Sequence, residues 1–143
     1  MMSFDFKLEN RNWKISKNGS FERVVNNEKL IQDCLKILVT NIASNPFHPT
    51  YGSLLGKNLI GNVFDTEFVS SIASNQIKNS LENLQKYQRE QSRYQNVTSE
   101  EQLAAIRQVI VEQNSVDPRH YLVNVVVTTG ALTSETLVFN VKL

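Results

Sequence analysis

Seven apolar side chains at helical spacing, Phe68, Val69, Ile72, Ala73, Ile77, Leu81 and Leu84, constrain this chain more than any other feature. They share one face of a 3.6-residue period and so require an amphipathic helix with something to pack against. The stripe ends at Leu84, and no aliphatic side chain follows until Val97. Residues 85–96 are good helix formers, with Tyr87 and Tyr94 interleaved with Arg89 and Arg93. A long helix over about 66–96 is predicted, opened by Asp65 or Thr66. From Glu67 to Gln95 it would span roughly 43 Å at ~1.5 Å per residue. A core of this size cannot cover that length, so the far end is expected to project or to meet a partner.

The remaining elements follow from their own periodicities. Phe4, Phe6 and Leu8 alternate with Asp5, Lys7 and Glu9, Trp13 and Ile15 continue the alternation, and Asn18-Gly19 is a favoured tight-turn pair before Phe21. An N-terminal β-hairpin is predicted there. A core helix over about 27–43 follows, with Leu30, Ile31, Cys34, Leu35, Leu38 and Ile42 on its apolar face. Lys29, Gln32, Asp33 and Lys36 form its other face, and Asn26 or Asn27 is placed to cap it. Ser44-Asn45-Pro46-Phe47-His48-Pro49-Thr50-Tyr51-Gly52-Ser53 is a loop stiffened by two prolines, with Phe47 and Tyr51 as aromatic anchors. Glycines bracket a short apolar segment from Gly56 to Gly61.

Thr98-Ser99-Glu100-Glu101 has the form of a capping box and predicts a short helix through Leu103 and Ala105. Strands then follow at Val109-Ile110-Val111, from Tyr121 to Thr129, and through Leu137, Phe139 and Val141. They form an antiparallel meander, with a turn at Asp117-Pro118. The fold class is α+β: N-terminal hairpin, core helix, long helix and a C-terminal three-stranded antiparallel sheet over about 106–143. At 143 residues the chain holds one domain with an extension, divided as a hairpin arm 1–25 and a main domain 26–143.

Composition removes several functions. The formal charge is +1, and residues 85–96 carry only +2, too little to track nucleic-acid phosphates. A single cysteine, Cys34, excludes an internal disulfide, and its place in the apolar stripe marks it as a packing residue. No apolar run is long enough to span a bilayer and the first residues lack signal-peptide order, which points to a cytoplasmic chain with no membrane partner. His48 and His120 are isolated, so no metal site is expected. Gly52-Ser53-Leu54-Leu55-Gly56-Lys57-Asn58 misses the phosphate-binding loop in both glycine spacing and the hydroxyl after lysine. No nucleophile elbow and no contrasting carboxylate pair stand out, so no catalytic residue, cofactor or metal is assigned.

Three segments carry a family resemblance: Glu-Lys-Leu-Ile-Gln-Asp-Cys-Leu-Lys-Ile-Leu-Val-Thr at 28–40, Asn-Pro-Phe-His-Pro-Thr-Tyr-Gly-Ser-Leu at 45–54, and the strands around Asp117-Pro118-Arg119. In that order the chain resembles the small baseplate wedge, or sheath-initiator, proteins of contractile-tailed phages. These are sometimes labelled lysozyme-like and have relatives in type VI secretion and other injection machines. The resemblance implies a non-enzymatic virion part in the tail baseplate, assembled in the host bacterial cytoplasm. It also implies a sheet like the docking domain of the sheath subunit, and several copies in a symmetric ring. Implied partners are the tail sheath protein, other baseplate wedge proteins and tail tube or hub proteins. Many family members carry Glu-Pro-Arg where the long helix enters the sheet. Here that junction reads Ala105-Ile106-Arg107-Gln108-Val109, so contacts at that motif are not carried over.

An apolar last strand leaves an open sheet edge, which is a template for strand addition. Leu137, Val138, Phe139 and Val141 are the candidate sheath-docking residues, and Phe47, Tyr51, Gly52, Tyr87, Arg89, Arg93 and Tyr94 are the candidate wedge or partner contacts. The alternatives are a tail-associated peptidoglycan hydrolase and a cytoplasmic adaptor that binds through its long helix.

Overall fold

The computed structural model describes residues 3–10, 12–55 and 66–142. The short segment bracketed by Gly56 and Gly61, the lysine and asparagine of the near-miss phosphate loop, and Asp65 as helix opener lie outside the described residues.

The N-terminal arm is the expected hairpin with one more reversal than the sequence suggested. Gly19, at φ +78°, makes the turn between Ile15 and Phe21, which form an isolated antiparallel bridge. Asn10, at φ +51°, reverses the chain a second time, so that β2 (Leu8–Glu9) pairs with β3 (Asn12–Trp13). β1 (Asp5–Phe6) pairs with β4 (Arg23–Val24). Phe6 packs against Phe4, Trp13 and Phe21 with ring centroids 5.4–5.9 Å apart, a small aromatic cluster confined to the arm.

Helix α1 runs Asn26–Val39, four residues shorter at its end than predicted. It stops because Thr40 turns extended and the following backbone runs beside Ser53: Ser53 N–H donates to Thr40 O at 2.8 Å and Ile42 N–H to Ser53 O at 3.1 Å. Gly52 allows that approach. At φ +126° its Cβ would stand 2.7 Å from Thr40 O, inside any real contact. Neither asparagine caps the helix, whose N-cap is the extended Val25. Asn26 Oδ1 instead accepts from Thr98 Oγ1 at 2.9 Å, and Asn27 Nδ2 donates to Glu135 Oε1 at 2.6 Å. Both amides tie the helix start to distant segments rather than to its own first turn.

Helix α2 runs Thr66–Gln91 and ends five residues before the predicted boundary. Its far end does not project bare. The chain turns at residues 92–95 and comes back along the helix. There Gln88, 6% exposed, donates to Glu101 O and accepts from Leu103 N–H, both at 2.8 Å. Gln85 Nε2 donates to Leu103 O and Ala104 O at 3.1 and 3.0 Å. The capping-box helix does not form: residues 99–101 are a turn that feeds a strand directly. Thr98 Oγ1 donates to Asn26 Oδ1 at 2.9 Å, which ties this turn to the start of α1.

Strand β5 (Leu103–Gln113) begins earlier than predicted, and β6 (His120–Thr129) and β7 (Ser134–Lys142) complete the antiparallel sheet in the order β5-β6-β7. Register shifts at Leu103/Ala105 and Ile106/Gln108 break the two-residue alternation in β5, which is why its first half does not read as a strand. Tyr121, Val123, Val125, Val127 and Leu137 face inward. They join Leu30, Cys34, Ile37 and Leu38 of α1 and Val69, Ala73, Ile77, Leu81 and Leu84 of α2 in one buried cluster. Both helices therefore lie on one face of the sheet, and among the described residues no other element packs on the opposite face.

Candidate functional site

Two regions could serve a function, and the sheet edge is the first. β7 pairs with β6 alone among the described residues, from His120↔Lys142 to Thr128↔Ser134, so the far side of β7 keeps unpaired backbone donors and acceptors. Leu137 points into the core, and Phe139 and Val141 pack partly against it. Val138, 58% exposed, lies on the open face in a cross-strand row with Asn124 and Ile110. The four candidate docking residues thus split by strand alternation. Three hold β7 to the core and Val138 faces outward.

The second region is a polar cavity of about 340 Å³ between the arm, α1, the 45–53 loop and α2, bordered by Asp5, Lys29, Asp33, Lys36, Tyr51 and Tyr87 among others. Lys29 Nζ donates to Asp33 Oδ2 at 2.6 Å and Lys36 Nζ to Asp5 Oδ2 at 2.8 Å. Gln32 braces the arm three ways. Its Nε2 donates to Asp5 Oδ2 and Phe6 O, both at 2.8 Å, and its Oε1 accepts from Leu8 N–H at 2.9 Å. Burial works against ionised Asp5, but the Lys36 and Gln32 hydrogen bonds outweigh it and hold that carboxyl below its ordinary value. Burial pushes the Asp33 carboxyl up, against the pull of Lys29. Tyr51 is pushed up to about 12 by burial and by the nearby carboxylates. Beside this cluster Glu101 is fully buried, and burial raises its pKa too.

The sequence puts Lys29, Gln32, Asp33 and Lys36 on the polar face of α1, opposite its apolar stripe. The structure covers that face: Lys29 is 5% and Gln32 9% exposed, with the arm bonded to Gln32. The Lys29/Asp33 spacing of four residues was visible, but nothing in the sequence said that a strand would cover it.

Of the predicted partner contacts, Tyr51 and Tyr87 are brought together, ring centroids 5.6 Å apart, with His48 also edge-on to Tyr87 at 5.5 Å. The Tyr87 hydroxyl shares a hydrogen bond with Thr50 Oγ1 at 2.7 Å. Gly52 is buried, and its carbonyl accepts from Ser80 Oγ at 3.0 Å. Phe47 and Tyr94 are 87% and 85% exposed, Arg89 is exposed, and Arg93 pairs with Glu90 on the surface at 3.3 Å. These surface residues do not converge on either region. Cys34 is fully buried and its thiol is pushed up to about 12, the packing role expected of it. Among the described residues no cluster of three or more His, Cys, Asp or Glu could hold a metal, and no helix is long and apolar enough to cross a membrane.

No family model matches the sequence, and no curated protein matches it at sequence level. In three dimensions the chain is similar to a crystal structure from Geobacter sulfurreducens described as a "putative tail lysozyme". The TM-score is 0.62 at 14% identity, over 81% of this chain and 89% of that one. At that identity the similarity establishes a shared fold.

Proposed function

We propose that this chain is a structural component of a contractile phage tail, or of a related injection machine. It joins the inner baseplate and nucleates the sheath by accepting a strand from the first sheath ring onto its C-terminal sheet. The observation that carries this reading is the open β7 edge, a nine-residue strand bonded on one side only among the described residues. An added strand would gain backbone hydrogen bonds along β7 and take its register from the side-chain row at Val138. The shared fold with a protein described as tail-associated supports the setting. The family resemblance supplies the partners: sheath protein, other wedge proteins and tube or hub proteins, with several copies in a ring assembled in the host cytoplasm. No catalytic step is part of this function.

The test places charge on the docking strand without touching the core. Val138 and Asn140 are both exposed, so changing both to Asp leaves the fold intact but disfavours an incoming strand. Particles carrying the double variant are expected to assemble baseplates and tubes without sheaths. Sheaths of normal length on such particles would sink the proposal.

A second reading, peptidoglycan hydrolysis, is favoured by one observation: Asp5 and Asp33 border the same cavity with pKa values displaced in opposite directions. Against it, each carboxylate is held by a lysine, at 2.8 and 2.6 Å, so neither is a free acid facing the cavity. Purified protein that clears cell walls, with activity lost in Asp33→Asn, would favour the hydrolase over the assembly role.

A further inference from the structure

The backbone of β7 tells which of its groups face the unpaired side. Thr129 N–H donates to Thr133 O at 2.9 Å, which makes 129/133 a hydrogen-bonded pair. Such pairs alternate along an antiparallel ladder, so 125/137, 123/139 and 121/141 are bonded pairs too. Asn114 N–H donates to His120 O at 2.8 Å, so the even residues of β6 face β5, as the same alternation requires. The N–H and C=O groups of Val138 and Asn140 therefore point away from β6, to the side of β7 that is unpaired among the described residues.

A cavity of about 160 Å³ lies beside that stretch, walled by Leu38 and Val39 of α1, by Leu55, and by Phe139 and Val141 of β7. Asn140, whose side chain alternates to the opposite face, borders it as well, so the cavity reaches the strand's edge. Ser53, its buried polar wall, is already bonded: the hydroxyl donates to Leu38 O at 2.6 Å and the N–H to Thr40 O at 2.8 Å. No charged side chain borders the cavity among the described residues, and Val39 at its rim is 71% exposed. The site thus offers an entering group apolar burial and no charge partner. A cavity of roughly 150 Å³ holds a benzene-sized group, so there is room here for one medium-sized aliphatic side chain.

We propose that this cavity is the side-chain pocket of the strand-accepting edge. It selects a partner protein's strand that carries one aliphatic residue, of Val to Leu size, opposite Phe139 or Val141. In an antiparallel addition the residues opposite those two face the helix side of the sheet, over the cavity. Backbone bonds at Val138 and Asn140 supply affinity. The pocket fixes register, because a slip of one residue would turn the aliphatic side chain to the outer face. A second copy of this chain does not meet the requirement: in its own β7, Leu137 is buried and Phe139 and Val141 pack on its own core. This inference rests on the strand-accepting reading and adds to it what the strand must carry.

The test is photo-crosslinking in assembled particles, with a leucine-sized diazirine amino acid replacing Val39 or Val138 in the full chain. Crosslinks from both sites to one segment of another protein, those from residue 39 falling on or beside an aliphatic residue, are the expected result. Crosslinks from residue 138 alone would overturn the pocket and leave strand addition standing, and crosslinks from neither would overturn both. Crosslinks from residue 39 to a second copy of this chain would overturn the assigned partner. Val39 lies outside the hydrophobic core, so its variants give a second measurement. Val39→Asp is expected to lower the number of sheathed particles about tenfold, the loss that failing to bury one aliphatic side chain implies, while Val39→Leu keeps it. Equal numbers from the two variants would also overturn the pocket.

Discussion

Asp5 shows how one side chain can join two parts of a fold. It lies in the first strand of the arm, yet its Oδ2 accepts from Lys36 and from Gln32, both on α1 and both at 2.8 Å. Burial alone would raise its pKa, and the two donors more than reverse that. A carboxyl with a lowered folded pKa contributes stability above its unfolded value, here 3.8, and loses it as pH falls through the folded value. The opposite sign holds for Asp33 and Glu101 on the same cluster, so stability should fall on both sides of a mildly acidic optimum. Asp5→Asn is expected to flatten the acid limb below pH 4. Urea midpoints measured from about pH 2.5 to 8 check this. An acid limb identical to that of the wild type would show that the Lys36 contact is solvated and adds nothing.

Among the elements, α2 carries the sharpest lesson about what a sequence shows. Its stripe from Val69 to Leu84 was legible because apolar side chains repeat at helical spacing and every one of those buried in the structure lies on that face. What followed was not legible, because the face after Leu84 is covered through amides rather than through apolar contact. Gln88 has no hydrophobic signature, yet it satisfies a buried N–H and a buried carbonyl of the returning chain. The same limit hid the first half of β5, where bulges scramble the alternation, and the polar cluster on α1, where a charged face was buried by the arm. The β6 and β7 strands were legible because their inward residues alternate without interruption. Gln88→Met keeps the length of the side chain and removes both hydrogen bonds. Each backbone group left buried without a partner costs about 1–3 kcal/mol, so a loss of roughly 2–6 kcal/mol is expected from urea unfolding. A change under about 0.5 kcal/mol would mean that water enters and bonds both groups.

At the scale of the molecule, residues 1–22 of the arm are joined to the rest largely by polar bonds and held together internally by their own rings, while Val24 at the arm's end is buried. Phe4, Phe6, Trp13 and Phe21 contact one another, Arg23 stands over the Phe4 ring at 4.3 Å, and none of the five enters the core cluster. What the arm gives the core is cover for Lys29, Gln32 and Asp33 together with the bonds from Asp5, Ser3 and the Phe6 and Leu8 backbone. Removing residues 1–22 takes away a complete aromatic cluster and leaves the helix–sheet core whole. The shortened chain is expected to melt in one cooperative transition, at a lower temperature than the full chain, with its sheet and helix signals retained in circular dichroism. Its Lys29 and Asp33 would then be more exposed, and the fall in stability with rising pH that burial of the Asp33 carboxyl implies should shrink with the removal of their cover. A broad, non-cooperative melt would instead show that the arm is part of the folding unit, and the division near residue 25 would have to be abandoned.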